Sequence, residues 1–438
     1  MGVIFNEAEA VWEWLMTHLI VINLLFSIII IFFQRRDPRS VWTWLFALNF
    51  IPVFGIIFYL LFGQDLKKSR MFKVKGISDR LNMPVKSQEE IIRSSDIPEE
   101  MMDPLIRDFR SLILYNLETS GAVLTTDNQV KIYTDGQAKF EGLRTALRRA
   151  SRFIHIQYYI IKNDEVFDSI VPILEDKVRE GVEVRILYDG MGGRFMPKRR
   201  WEELRRAGIL VGVFFPPILG WLNLRVNYRN HRKIVVIDGN VGFVGGFNIG
   251  REYISKDPGF GYWRDTHLRI TGEAVMSLQI RFALDWNYAT GENLFKNEAY
   301  FRTDLKKKTD VRRDKERPAW PDPELEGSQV GMQIIASGPD TREPHIRNNY
   351  LELFHKAKHH IYIQTPYFVP DDAIFSALKM AALSGVDVRL MIPCKPDHPF
   401  VYRATCSYAG ELLDYGAKVY IYTNGFLHSK GIMVDGRV

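Results

Sequence analysis

Two stretches of this sequence end in the same string, and each closes a copy of one longer unit. His231-Arg232-Lys233 runs on to Asp238-Gly239, and His428-Ser429-Lys430 runs on to Asp435-Gly436, so both read H-x-K-x4-D-G. Upstream, HIQYYIIKND at 155–164 returns as YIQTPYFVPDD at 362–372, GVEVRILYDG at 181–190 as GVDVRLMIPC at 385–394, and ELRRAGILVGVF at 203–214 as ELLDYGAKVYIY at 411–422. A chain duplicated in this way is expected to fold as two similar lobes. Within each copy a β-branched run, a helix-compatible stretch, and then Gly-Val-x-Val-Arg opening a second apolar run give the strand-helix-strand alternation of an α/β fold. The expectation is two mixed sheets flanked by helices and packed with pseudo-two-fold symmetry.

The repeated string is not an accident of composition. With ten His in 438 residues, chance gives ~0.04 such strings in a chain of this kind. On a strand, residues i and i+2 point to one face, so the imidazole and the ammonium of each motif project together. Asp238 and Asp435 stand at an odd offset and cannot share that face. Each is followed by Gly, which reads as a tight turn held by the carboxylate or by an internal salt bridge, framing the site rather than reacting. If the lobes bring both motifs to one cleft, two imidazoles and two ammonium groups converge there. That set suits a phosphodiester: lysines hold the nonbridging oxygens, one histidine attacks phosphorus, and the other protonates the leaving alcohol. The scheme needs no metal and no cofactor, and the sequence does not say which histidine attacks.

Metal binding has one rival signal. His355 and His359 stand four apart on an expected helix, but no Cys or carboxylate is spaced to complete a site, and a basic helix C-terminus is the better account. Cys394 and Cys406 are the only cysteines, too few for a disulfide framework. They suit a reducing compartment and read as small apolar packing residues.

The amino-terminal end has a different character. Residues 14–33 and 41–62 contain no Asp, Glu, Lys or Arg, and at 1.5 Å per residue each is about 30 Å long as a helix, the thickness of a bilayer core. Two transmembrane helices are expected, with Trp12, Trp14, Trp42, Trp44 and Tyr59 near the segment ends. Glu7, Glu9 and Glu13 occupy the place of a basic n-region, which excludes a signal peptide. His18 and Asn23 are expected to make interhelical hydrogen bonds. Arg35, Arg36 and Arg39 between the segments compete with Lys67, Lys68, Arg70, Lys73 and Lys75 after them; the larger cluster puts the downstream part on the cytoplasmic side. The expected organisation is 1–62, a two-helix membrane hairpin; 63–120, a membrane-proximal connector; 121–327, the first lobe, ending in a charged, proline-rich linker at 306–327; and 328–438, the second lobe. A net charge of +6 favours anionic partners without choosing among them.

At these motifs the chain resembles the bacterial cardiolipin synthases of the phospholipase D superfamily, over essentially its whole length. The resemblance is carried by NYRNHRKIVVIDG, GGFNIG at 245–250, YWRDTHLRI at 262–270, FALDW at 282–286, TPYFVPD at 365–371, GFLHSK at 425–430 and the hydrophobic hairpin with Pro52, Gly55, Tyr59 and Gly63. It implies a membrane-bound phosphatidyltransferase that makes cardiolipin from two phosphatidylglycerols through a phosphohistidine, at an anionic bacterial cell membrane and without nucleic acid. It implies a catalytic set built on His231, Lys233 and Asp238 with His428, Lys430 and Asp435. It further implies that Asn248, with Gly246 on the same glycine-rich strand, helps to bind phosphate, and that Asp265 orients the ring of His231. A phospholipase D hydrolase or a tethered nuclease would carry the same four His and Lys residues, and a basic lipid-binding scaffold is the non-enzyme rival. The sequence stops three residues after Asp435, whereas the first copy continues into the strand bearing Gly246 and Asn248. A protein ending there is expected to lack half of its phosphate cradle, to leave a sheet edge unpaired, and to be inactive or poorly stable.

Overall fold

The computed structural model describes residues 14, 17–19, 21–33, 38–62, 88–90, 92–93, 103–216, 229–301, 329–338, 341 and 343–438. The basic flank at 67–75, most of the expected connector and the linker at 306–327 lie outside them. The chain divides into two compact units, Met1–Lys68 with Phe215–Arg229, and Ser69–Phe214 with Asn230–Val438.

The larger unit holds both repeats. Its strands are β1 (Thr125–Tyr133), β2 (Phe153–Tyr158), β3 (Glu183–Asp189), β4 (Leu210–Phe214), β5 (Ile234–Ile237), β6 (Val241–Gly245), β7 (Trp263–Arg264), β8 (His267–Thr271), β9 (Val330–Met332), β10 (His360–Gln364), β11 (Asp387–Pro393), β12 (Lys418–Tyr422), β13 (Phe426–Leu427) and β14 (Gly431–Val434). One sheet runs β4-β3-β2-β5-β6-β8-β1-β9 and the other β12-β11-β10-β14. In both, three strands are parallel and the strand that follows the His-Lys pair lies antiparallel beside the first of them. The duplication seen in the sequence is therefore a duplication of topology. β2 is buried at all six positions, as a strand covered on both faces must be. Around it Phe140, Leu143, Leu147, Val166 and Leu174 from the flanking helices close one core, while Leu378, Leu390 and Leu412 belong to that of the second lobe.

The lobes exchange elements. β9, beyond the expected boundary at 328, pairs back on β1 of the first sheet. The helix Arg110–Ser120, expected within the connector, docks on the second lobe: Asn116 and Asn349 exchange side-chain amide hydrogen bonds of 2.8 and 2.9 Å, both residues buried. The helix His345–Lys356 ends before His359, so His355 and His359 do not share a helical face; the His359 backbone N–H donates to Asp435 instead. Cys394 is half-buried, but Cys406 is exposed and not a packing residue.

In the smaller unit the apolar run at 41–62 is not the single span expected of it. It forms two helices, Pro38–Phe50 and Pro52–Phe62, of 13 and 11 residues, or about 20 and 16 Å. The first run is helical at 21–28 and passes into a π-helix at Ile29–Phe33. Among the described residues no helix is long and apolar enough to cross a membrane. The break has a local cause: Pro52 has no N–H for the carbonyl of Leu48, four residues earlier. Asn23 supplies the missing donor, its Nδ2 lying 2.8 Å from that carbonyl. Gly55 allows the close approach this requires, since a Cβ there would fall 2.2 Å from the Ala47 carbonyl oxygen. Asn23 thus makes the interhelical bond expected of it, whereas His18 bonds to the Trp14 carbonyl, four residues earlier.

Candidate active site

Each His-Lys pair enters the site just before its strand. His231 and Lys233 precede β5, and the Lys233 ammonium lies 2.8 Å from the His231 carbonyl and 3.0 Å from Nδ1 of the ring. Lys430, immediately before β14, repeats this geometry, with its Nζ 2.7 Å from the His428 carbonyl. The side chains at i and i+2 therefore lie together, as the alternation demands.

The two pairs meet. A cavity of about 330 Å³ is lined by His231, Lys233, His428 and Lys430, together with Val244–Gly246, Asp265, Thr266 and Leu268. What brings the second motif there is a crossing between lobes. β13 pairs in parallel with β7, and the His428 N–H donates to the Arg264 carbonyl at 2.8 Å. One residue further on, the Ser429 and Thr266 hydroxyls hydrogen-bond at 2.7 Å.

This crossing also reassigns Asp265. The resemblance gives that carboxylate to the ring of His231, but the structure puts its Oδ2 2.6 Å from Nδ1 of His428. Asp265 follows β7 directly, and β7 runs beside the strand leading into the second motif, so its reach is across the lobes. Gly246 makes room for it: a Cβ there would fall 2.0 Å from the Asp265 carboxylate. Gly246 thus stands at the cavity wall, though its glycine character is required by Asp265.

Positive charge and low hydration shape the site's titration. His231 is an exposed residue, yet desolvation by the surrounding walls, and then the nearby Lys233, Lys430 and His428, hold its pKa down to about 3. Burial pushes His428 below the usual histidine value, opposed by Asp265. Burial likewise drives Lys233 well below an ordinary lysine and lowers Lys430 to about 8 against the pull of Asp265 and Asp397. Two partly desolvated ammonium groups that form no direct ion pair among the described residues make a ready receptor for a phosphodiester anion.

The remaining expected residues stand further back. The Asp238 carboxylate accepts from the backbone N–H groups of Ser151, Arg152 and Phe153 and from the Ser151 hydroxyl. Asp435 accepts from the N–H groups of Lys358, His359 and His360. Both take a left-handed conformation, φ 56° and 54°, at the far end of the strand from His and Lys. They tie the turn to the strand beside it. Asn248 is buried, its Oδ1 accepting from the Ile160 N–H and its Nδ2 donating to the Tyr253 hydroxyl; it is not among the cavity's lining residues.

Sequence reasoning passed over a pair of tyrosines. The Tyr159 ring lies 4.6 Å from that of His231, with Lys233 5.3 Å from its centroid. Tyr367 stands edge-on to His428 at 6.3 Å, with Lys430 at 5.6 Å. Both follow the Ile-Gln of their repeat, which is the signal that could have found them.

Family comparison bears on the same residues. The family described as "Cardiolipin synthase, PLD-like domain" matches residues 143–260 and 350–438, which contain both motifs. "Phospholipase D-nuclease N-terminal" matches 21–64. A cardiolipin synthase of Listeria innocua serovar 6a is 43% identical over 428 residues, 97% of this chain and 84% of the relative. The chain belongs to the cardiolipin synthase family of the phospholipase D superfamily. A second cardiolipin synthase, from Staphylococcus aureus strain Mu50, is 46% identical over 95% of this chain and 81% of its own length. Among solved structures, phosphatidylserine synthase of Haemophilus influenzae Rd KW20 is 14% identical, with a TM-score of 0.47 over 76% of this chain and 80% of that one.

Proposed function

We propose that the protein is a phosphatidyltransferase that joins two phosphatidylglycerols into cardiolipin and releases glycerol. The observation that carries this is the convergence of both His-Lys pairs, one from each lobe, on a single cavity. Lys233 and Lys430 hold the nonbridging oxygens of the donor phosphodiester. His231, kept neutral by its surroundings, attacks phosphorus through a ring nitrogen. His428 gives its proton to the departing glycerol oxygen, and the P–O bond to glycerol breaks as the P–N bond forms. Asp265 at Nδ1 suits His428 to this part: it fixes the ring and stabilises the imidazolium, leaving Nε2 to carry the transferable proton. The neutral His428 then takes a proton from the glycerol hydroxyl of an acceptor phosphatidylglycerol, whose oxygen attacks phosphorus and displaces His231. One phosphodiester replaces another, so no energy source is consumed.

A lipid substrate fits the hairpin. Leu24, Phe32, Phe46, Phe50 and Phe54 are all exposed, while Asn23 turns inward onto Leu48, an arrangement suited to hydrocarbon rather than water. The hairpin is read as seated in the bilayer, with the catalytic unit at an anionic bacterial membrane on its cytoplasmic side; two free cysteines agree with that compartment.

Product analysis decides between transfer and hydrolysis. In vesicles of labelled phosphatidylglycerol, the protein is expected to yield cardiolipin and free glycerol in equal amounts, and H231A or H428A to abolish both. Phosphatidic acid as the main product would make water the acceptor and overturn the proposal.

A further inference from the structure

The buried carboxylate of Asp285 has no part in the chemistry above, yet it accepts hydrogen bonds from three side chains at the first motif. It sits on the helix Ala274–Thr290 within FALDW and is 1% exposed. Asn230 Nδ2 donates to it at 2.9 Å, Arg232 Nη1 at 2.9 and 3.1 Å, and Gln157 Nε2 at 2.7 Å. Asn230 and Arg232 are the residues on either side of His231. Alternation sends their side chains away from the cavity as it sends His231 and Lys233 toward it. The same short segment is fixed once more from β3, where Asp189 accepts the Asn230 backbone N–H at 3.0 Å, and internally by the Arg232 N–H on Asn230 Oδ1. Gln157, the third donor, lies two residues before Tyr159, whose ring rests against His231.

The second motif is held quite differently. Its middle residue is Ser429, not an arginine, and the segment is fixed by the β7–β13 crossing and by Asp265 on the ring itself. Among the described residues no carboxylate bonds the His231 ring, which meets Lys233 and the Tyr159 ring instead, so its direction depends on how the backbone carrying His231 and Lys233 is set.

We propose that Asp285 is the positioning residue for His231, acting through Asn230 and Arg232 to aim the imidazole at phosphorus. This rests on the phosphatidyl-transfer reading above. Misdirection of a reacting group by about 1 Å can cost on the order of 100-fold in rate without weakening substrate binding.

The test compares D285N, R232Q and the double variant in phosphatidylglycerol vesicles, with Q279A as a control. Gln279 is buried on the same helix but bonds His155, away from the motif. D285N is expected to lower kcat by at least about 10-fold with KM within about 3-fold, R232Q to do the same, and the double variant to be no worse than the more severe single one. Q279A is expected to keep kcat even where it lowers the melting temperature. An unchanged kcat in D285N, losses that multiply in the double variant, or an equal kcat loss in Q279A would each overturn the assignment. Should D285N not fold, R232Q, whose side chain is half-buried, reads the same arm: an unchanged kcat there overturns the assignment, and a kcat loss at constant KM supports it. The wild-type product identifies the reaction, and the ratio of variant to wild type reports positioning, so the two readings fail separately.

Discussion

Asp265 shows how much a single carboxylate can decide at the level of one residue. It lies 2.6 Å from His428 Nδ1, and its charge raises the pKa of His428 and of Lys430 alike. Catalysis needs both groups protonated, His428 as the acid and Lys430, with Lys233, as an anion holder. Lys430 releases its proton near pH 8, so kcat/KM is expected to fall as pH rises through about 8 at the latest. D265N removes a contribution that raises both values. Asp265 raises Lys233 in the same sense, so the alkaline limb of the kcat/KM profile should move to lower pH whichever of the three groups sets it, and kcat should drop by on the order of 100-fold with the loss of a poised acid. A limb that stays in place would show that Asp265 does not govern the proton on this side of the site. None of this pairing was legible in the sequence beyond the presence of Asp in WRD, because the ring that an Asp after β7 reaches depends on which strand β7 lies beside.

At the level of elements, the sequence was most informative where its pattern repeats and least where two local rules compete. The His-Lys pairs, the tight turns at Asp238 and Asp435, and the matching strand orders all follow from alternation and from the duplicated strings. The hairpin does not. Its charge-free run at 41–62 satisfies the length rule for a spanning helix, but Pro52 deprives the Leu48 carbonyl of its partner, and the chain bends into two short helices around the bond from Asn23. N23A is expected to cost about 1 kcal/mol of hairpin stability, read as a lower melting temperature in detergent. N23A/P52A should recover it, since replacing the proline by alanine restores a backbone N–H within reach of the same carbonyl. If the double variant melts no higher than N23A, the Leu48 carbonyl is not what joins these helices.

The molecule as a whole depends on a two-stranded crossing. Either lobe alone presents one imidazole and one ammonium, and the site exists because β13 of the second lobe lies along β7 of the first, with His428, Ser429 and Asp265 locked just beyond. The duplicated sequence implied such a meeting but could not locate it, since Trp263–Arg264 and Phe426–Leu427 are pairs of residues too short to carry a strand signal. Gly425 is the weak point of the contact. Its φ is +100°, and a Cβ there would fall 2.1 Å from the carbonyl oxygen of Tyr262, the acceptor of the Phe426 N–H. Backbone cannot yield to a methyl group at that distance without parting the two strands, and a left-handed alanine adds strain of its own. G425A is therefore expected to remove His428 from the cavity and to loosen the edge of the β2 core where Trp263 and Phe426 are buried, while the β11 core, which includes neither, stays folded. Transfer activity should fall by at least about 100-fold, with faster amide exchange confined to β7 and β13. G410A is the matched control, since a Cβ there meets nothing within 4 Å. Full activity in G425A would mean that the lobes find one another by some route other than this crossing.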